Sequence, residues 1–136
     1  MDKDKEQKTP QADRGHHVPP YGIPVKRYCQ TLDLKDNPEL IAEYRKRHSP
    51  EEHWPEIRQG IRQVGILNME IYISRNHLFM IVETPLDFDW DTAMKQLSTL
   101  PRQAEWEAYM ACFQDCRPEA DAAEKWKLME RMFHLY

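Results

Sequence analysis

Two side chains one helical turn apart are the first candidates for chemistry in this chain. Tyr44 and His48 follow Leu40 at intervals of four residues, so all three would lie on one face of a helix. Histidine has an ordinary pKa near neutral pH, and it therefore suits general acid or base catalysis. The alternative is structural, with the ring at the edge of the core and satisfied by a carbonyl or by water.

The helix that would carry this pair has a clear beginning. Asn37 is a good N-cap, and Pro38 would occupy the first helical position, where its missing N–H is no loss. We expect a helix from Pro38 to about Arg47. The following Ser49-Pro50-Glu51-Glu52 has the pattern of a capping box, so a second helix is predicted to begin there or at Pro55 and to end at Gly65.

Three segments alternate between two faces, as strands do. They are residues 25–34, 66–74 and 77–84. The second and third are separated only by Arg75-Asn76, which predicts an antiparallel hairpin.

The second half of the chain repeats the pattern of helices followed by a strand. Asp87 or Asp89 is expected to cap a helix through about Leu97, and Pro101 to lie near the start of another through about Cys116. The later helix would carry an apolar stripe of Trp106, Tyr109, Met110 and Phe113. Residues 118–124 are predicted to be a loop or short turn, and residues 129–136 a final strand. This order predicts an α+β, ferredoxin-like split β-α-β fold, with helices on one face of an antiparallel sheet.

Length and composition fit one small domain preceded by a tail. The chain has 136 residues, 40% hydrophobic and 31% charged, as is typical of a soluble globular protein. Residues 1–24 are polar and interrupted by prolines, so we expect them to be disordered or, around residues 18–23, extended over a partner surface. Residues 25–136 are expected to form the single domain.

Several function classes find no support in the sequence. No apolar run approaches the length of a membrane span, and the N-terminus lacks the apolar segment of a secretory signal. Cys29, Cys112 and Cys116 are expected to be reduced thiols of a cytoplasmic protein rather than metal ligands. The net charge of −4 and the absence of a glycine-rich phosphate motif argue against nucleic acids and nucleotides. We therefore expect no metal, no cofactor, and no nucleic-acid or membrane partner.

The motifs around His48, taken in order, resemble those of the L-rhamnose mutarotase family. They are Tyr44-x-x-x-His48, Trp54-Pro55-Glu56, residues 65–72 and 78–83 on two strands, Trp106 with Tyr109-Met110, and Phe133-His134-Leu135. The resemblance covers about residues 25–136, and the order and spacing of the pieces make it more specific than any single motif.

This resemblance implies a dimeric α/β barrel that interconverts the α and β anomers of a 6-deoxy hexose without a metal or cofactor. In the family the histidine that ends the first helix is the proton donor, and the tyrosine one turn earlier contacts the sugar. Those roles fall on His48 and Tyr44. Trp106 matches the first tryptophan of a pair that borders the sugar. L-Rhamnose is the first candidate substrate, and L-fucose is the alternative.

Three departures from the family pattern lie beside these residues. His48 and Trp54 are six residues apart where the family has four, so His53 lies in an inserted segment that could reach the same cleft. Met69 stands where the family has a tyrosine that contacts sugar, and Glu107 stands in place of the second tryptophan. The departures leave the choice of deoxy sugar open.

A chain of this fold need not be a mutarotase. It could be a non-catalytic ferredoxin-like dimer that binds a small ligand or regulates a partner, or a cofactor-free monooxygenase with a histidine in its cleft. The motif Tyr44-x-x-x-His48 followed by Trp54-Pro55-Glu56 favours the mutarotase. In each case we expect a homodimer, because the hairpin carries large side chains on both faces and helices would cover only one.

Overall fold

The computed structural model describes residues 14–116 and 125–136. These residues form, in order, β1 (Val25–Asp33), α1 (Pro38–Arg47), α2 (Pro55–Gln63), β2 (Asn68–Ser74), β3 (His77–Pro85), α3 (Trp90–Leu97), α4 (Gln103–Ala111) and β4 (Lys127–Leu128). No helix in these two ranges is long and apolar enough to cross a bilayer. The predicted loop at residues 118–124 and the first thirteen residues of the tail lie outside the described residues.

The strands make one open antiparallel sheet in the order β2-β3-β1-β4. This is the ferredoxin-like α+β arrangement that the sequence predicted. Residues directly opposite one another share a face of the sheet, so the pairing register defines both faces. The face packed against the helices carries three rows across β1, β3 and β2, namely Tyr28-Val82-Met69, Gln30-Met80-Ile71 and Leu32-Leu78-Ile73. We call this the helix face and the opposite one the open face.

The helix starts follow from local capping. The Asn37 side chain accepts hydrogen bonds from the backbone N–H groups of Glu39 and Leu40, at 2.9 and 3.1 Å, and Pro38 is the first residue of α1. The second helix begins at Pro55, the later of its two predicted starts. The Ser49 hydroxyl accepts a bond from the Glu52 N–H, so the capping box closes a turn in front of the helix. Gly65, at φ 103°, ends the region as predicted.

Helix α4 is shorter than predicted, because the chain beyond it is drawn onto the sheet. The last turn tightens through bonds from the N–H groups of Cys112 and Phe113 to carbonyls three residues earlier. The Phe113 carbonyl then accepts a bond from the N–H of Lys35, and the Asp115 N–H donates to the Asp33 carbonyl. Gln114 forms a bridge with Leu34, so this segment extends the end of β1 instead of the helix.

The final strand is not where the alternation predicted it. It consists of Lys127–Leu128, and a bond from the Met129 N–H to the Cys29 carbonyl continues the ladder by one residue. Residues 129–136 form no strand with the described part of the chain, and their side chains are exposed, Phe133 at 70% and Leu135 at 75%. The alternation is typical of an extended segment, but no described strand lies alongside it to pair with.

Part of the open face is covered by the segment before β1. The Tyr21 hydroxyl donates to Glu83 at 2.6 Å, and Arg27 donates to the other carboxylate oxygen at 2.8 Å. The His16 ring lies 5.8 Å from the ring of Tyr72. Residues 14–24 have no regular secondary structure, but they contact the same strands that the hairpin presents to solvent.

Candidate active site

A cleft of about 560 Å³ opens between the first two helices and the sheet, and we call it the outer cleft. It falls in the range of small-molecule sites, roughly 300–1,000 Å³. Its walls include Tyr44 and His48 from α1 and its C-terminal end, Ile57 and Ile61 from α2, Met69 and Ile71 from β2, and Trp106 from α4. The three predicted site residues, Tyr44, His48 and Trp106, are thus brought to one cavity.

His48 is held by the end of its own helix. Its Nδ1 lies 2.7 Å from the carbonyl oxygen of Tyr44. Because a carbonyl oxygen only accepts, Nδ1 carries the proton, and Nε2 is the nitrogen with the free lone pair. Among the residues that the structure describes, Nε2 has no hydrogen-bond partner. The tautomer is therefore fixed, and Nε2 can exchange a proton with a bound molecule.

The charge state of His48 follows from its surroundings. Burial lowers its pKa below the ordinary 6.5, the hydrogen bond to the Tyr44 carbonyl opposes this shift, and the Arg58 guanidinium adds to it. The ring is consequently neutral at neutral pH. A neutral imidazole of this kind acts first as a general base.

Tyr44 lies beneath this histidine and remains a phenol. The two rings are 4.4 Å apart between centroids. Burial raises the pKa of Tyr44 to about 12, the hydrogen bond from Gln114 opposes the shift, and the Glu107 carboxylate contributes to it. Tyr44 can therefore donate or accept a hydrogen bond throughout the neutral range without losing its proton.

Aromatic rings form the wall beside His48. The Trp106 ring meets the His48 ring edge to face at 5.3 Å and the Trp54 ring at 5.1 Å. Trp54 in turn stacks on Tyr109 and lies 3.8 Å from the Arg102 guanidinium. Such a wall suits the apolar face of a sugar ring or a methyl group. The sequence had indicated Trp54 only as part of the Trp54-Pro55-Glu56 motif.

The inserted segment places a second histidine at the same cleft. His53 lines it, with Nδ1 at 2.9 Å from the Pro50 carbonyl. Arg45, Arg58 and Arg62 also line its mouth. His53 therefore remains a rival to His48 as the proton carrier.

A smaller cavity of about 190 Å³ adjoins the outer cleft, and we call it the inner chamber. Tyr44 and Trp106 are among the side chains that line both spaces. The chamber also contains Glu107, which the sequence had shown as a departure from the family pattern, and three polar groups that the sequence reasoning missed, Gln30, Gln103 and Gln114. The sequence contained a signal for one of them, because Gln30 lies between Tyr28 and Leu32 on the same, otherwise apolar, face of β1. Gln103 and Gln114 lie at the two ends of the α4 region and follow no pattern.

A buried cleft with an aromatic wall and a neutral histidine belongs to a protein that binds a small molecule and can move its protons. A sequence model of the L-rhamnose mutarotase family matches residues 27–135. The chain belongs to this family, which confirms the resemblance in its motifs.

Individual relatives fit the same assignment. The chain is 37% identical over 111 residues to an L-fucose mutarotase of Xanthomonas campestris pathovar campestris, covering 82% of this chain and 89% of that protein. It is 34% identical over 95 residues to an L-rhamnose mutarotase of Burkholderia cenocepacia, covering 68% and 84%. The crystal structure of an L-rhamnose mutarotase from Formosa agariphila superposes with a TM-score of 0.60 at 21% identity, covering 82% of this chain and 99% of that one. The last comparison supports the fold.

Proposed function

We propose that this protein is a sugar mutarotase, an isomerase that exchanges the α and β anomers of a 6-deoxy hexose, with His48 as the proton carrier. The observation that carries the proposal is the His48 ring itself. It is neutral, its Nδ1–H is bound to the Tyr44 carbonyl, and its other nitrogen is available in a cleft of suitable size. Family membership supplies the reaction class.

The chemistry requires one proton to leave the sugar and another to arrive. His48 Nε2 takes the proton from the anomeric hydroxyl, the C1–O5 bond breaks, and C1 becomes an aldehyde carbon as the ring oxygen takes a proton from water. After rotation about C1–C2, the ring oxygen attacks the other face of C1 and loses its proton to water. The imidazolium then returns its proton to O1. Burial favours the neutral ring, so this return of the proton is energetically favourable.

Tyr44 and Trp106 would bind the sugar while this proton moves. Trp106 offers its ring to the apolar side of the pyranose and its C6 methyl group, and the Tyr44 hydroxyl offers a hydrogen bond. L-Rhamnose and L-fucose are the two candidate substrates. They share the methyl group and differ in configuration at C2 and C4.

We also propose that the protein is a cytoplasmic homodimer. The open face carries Phe79 and Ile81, which are only half-buried, and the exposed segment 129–136 is rich in apolar side chains. A second copy that covers both would bury this surface. The three cysteines are not joined in a disulfide, which is in keeping with a reducing compartment.

Saturation-transfer NMR tests the activity directly. Magnetisation exchange between the two anomeric protons should accelerate in proportion to the enzyme concentration, for L-rhamnose, L-fucose or both. A panel of deoxy and ordinary hexoses in which no sugar responds would refute the mutarotase and favour a non-catalytic ligand-binding dimer.

A further inference from the structure

The inner chamber contains buried amides whose hydrogen-bonding capacity is not used within the described residues. Gln103 is 7% exposed and Gln114 is 2% exposed, and both line the chamber. In each of them the side-chain oxygen is buried and has no partner in the described part of the chain. A buried acceptor without a partner is destabilising, so such groups usually have a function.

Exchanging the oxygen and nitrogen of either amide would still leave at least one of its two polar groups without a hydrogen-bond partner in the described part of the chain. Gln114 donates from Nε2 to the Tyr44 hydroxyl at 3.4 Å, and Gln103 donates from Nε2 to Glu107 at 3.2 Å. If the Gln114 amide is reversed, its oxygen gains the phenol and its nitrogen is left without a partner. The terminal torsion of glutamine is roughly twofold, so a turn of about 180° exchanges the oxygen and the nitrogen, and in either orientation the amide keeps one group for a bound molecule.

The chamber adjoins the outer cleft at Tyr44 and Trp106, and the candidate proton carrier is not part of its lining. His48 lines the outer cleft and does not line the inner chamber, whereas Tyr44 and Trp106 line both. A pyranose with C1 beside His48 therefore extends its opposite edge toward the chamber. In a six-membered sugar ring, C4 lies directly across from C1.

We propose that the inner chamber binds the C4 hydroxyl of the sugar through the buried amides of Gln103 and Gln114. This inference rests on the proposed mutarotase function, and it assigns to these residues the choice between substrates. The C4 hydroxyl is equatorial in the favoured chair of L-rhamnose and axial in that of L-fucose. The Gln114 amide is bonded to Tyr44 and the Gln103 amide to Glu107, so both are held in position. Amides held in this way can distinguish an equatorial from an axial hydroxyl.

The test compares sugars with and without the C4 hydroxyl. Gln114→Met and Gln103→Met remove the amides and approximately keep the side-chain volume, and Gln96→Met is the matched control, because Gln96 is exposed on α3 and lines neither space. Exchange rates are measured by saturation-transfer NMR for L-rhamnose, L-fucose and their 4-deoxy analogues, and circular dichroism checks the folding of each variant.

We expect at least one chamber variant to lose about tenfold to a hundredfold in kcat/KM on the better natural sugar, and little or nothing on its 4-deoxy analogue. Gln96→Met should match the wild type throughout. If Gln114→Met does not fold, the result for Gln103→Met alone tests the contact with the C4 hydroxyl.

Two results would overturn the assignment and are distinct from each other. Equal losses on the hydroxyl and deoxy sugars, or no loss in either chamber variant, would remove the C4 contact while leaving the mutarotase intact. A wild-type protein inactive on every sugar would instead overturn the proposed function, and the chamber assignment with it.

Discussion

The buried polar groups on the two sides of the sheet differ in whether their hydrogen bonds are satisfied. On the open face, Glu83 is 4% exposed, and its carboxylate accepts hydrogen bonds from Tyr21 and from Arg27. On the side covered by the helices, the amides of Gln103 and Gln114 are also buried, but each keeps an unpaired oxygen among the described residues. A satisfied buried charge holds the structure together, whereas an unsatisfied neutral group beside a cavity indicates a ligand.

The same contrast holds for the lowered pKa values of Glu83 and His48. Hydrogen bonds, first from Tyr21 and then from Arg27, lower the pKa of Glu83 against the effect of its burial. Burial itself lowers the pKa of His48. The first shift reports a bonded anion, and the second reports a ring kept neutral and available for proton transfer.

The largest effect should come from His48, at the C-terminal end of α1. General acid–base catalysis contributes about a hundredfold to ten-thousandfold, so His48→Ala should lose anomer exchange by a factor in that range. Tyr44→Phe should lose less, because it keeps the ring and removes one hydrogen bond. Saturation-transfer NMR measures the loss, and circular dichroism should show that His48→Ala remains folded.

His53→Ala is the matched control for this prediction. It removes the other imidazole of the outer cleft and should keep most of the exchange activity. Near-normal exchange in His48→Ala together with lost exchange in His53→Ala would show that the inserted segment has taken over the proton transfer.

A substitution in the exposed segment 129–136 should instead weaken the proposed dimer. Phe133 is 70% exposed within one chain, so Phe133→Glu should leave the fold intact and weaken the dimer by about thirtyfold or more, the effect of losing an apolar anchor worth ~2 kcal/mol. Leu86→Glu, also exposed but in the turn after β3, is the control and should remain dimeric. Sedimentation at micromolar concentration measures both, and a monomeric wild type would contradict the homodimer.

The pH dependence of exchange should show where His48 titrates. Because its pKa is lowered, the base form persists below pH 6.5, and kcat/KM should stay level from neutral pH down past that value. Below the folded pKa it should fall about tenfold per pH unit. A rate profile that already declines above pH 7 would mean that another group provides the proton transfer.

Most of the fold could be predicted because local patterns encode it. Asn37 with Pro38, the short turn at Arg75-Asn76 and the alternation of three strands each define an element without reference to the rest of the chain. The end of α4 could not be predicted in this way, because long-range bonds to Asp33 and Lys35 decide it. The same is true of residues 129–136, whose alternation indicates an extended segment but cannot name the strand that pairs with it.

The residues of the candidate site also fall into two groups, those that the sequence could predict and those that it could not. Tyr44, His48 and Trp106 could be proposed because residue type, helical spacing and family motifs agreed on them. Gln103 and Gln114 carry no such signal, since a glutamine on a helix is ordinary until its burial is known. Their unmet hydrogen-bonding capacity is a property of the packed structure, which a one-dimensional pattern does not contain.

The smallest expected effect is a difference in stability between two truncated chains, one that keeps Tyr21 and one that lacks it. A chain that starts at Tyr21 keeps the hydroxyl bond to Glu83 and loses the ring contact of His16 with Tyr72, so it should keep its melting temperature. A chain that starts at Gly22 leaves one oxygen of a buried carboxylate without its donor and should lose about 1–3 kcal/mol of unfolding free energy in urea.

The difference between the two truncations should also depend on pH. The folded pKa of Glu83 is lowered, so its stabilising contribution is present above the unfolded value of 4.5 and is lost as the pH falls through the folded value. The stability gap should therefore be full at pH 7 and close in acid. A gap that is unchanged at low pH would show that Tyr21 stabilises the open face by packing alone, and a large loss in the chain that starts at Tyr21 would show that the preceding residues are a packed part of the domain.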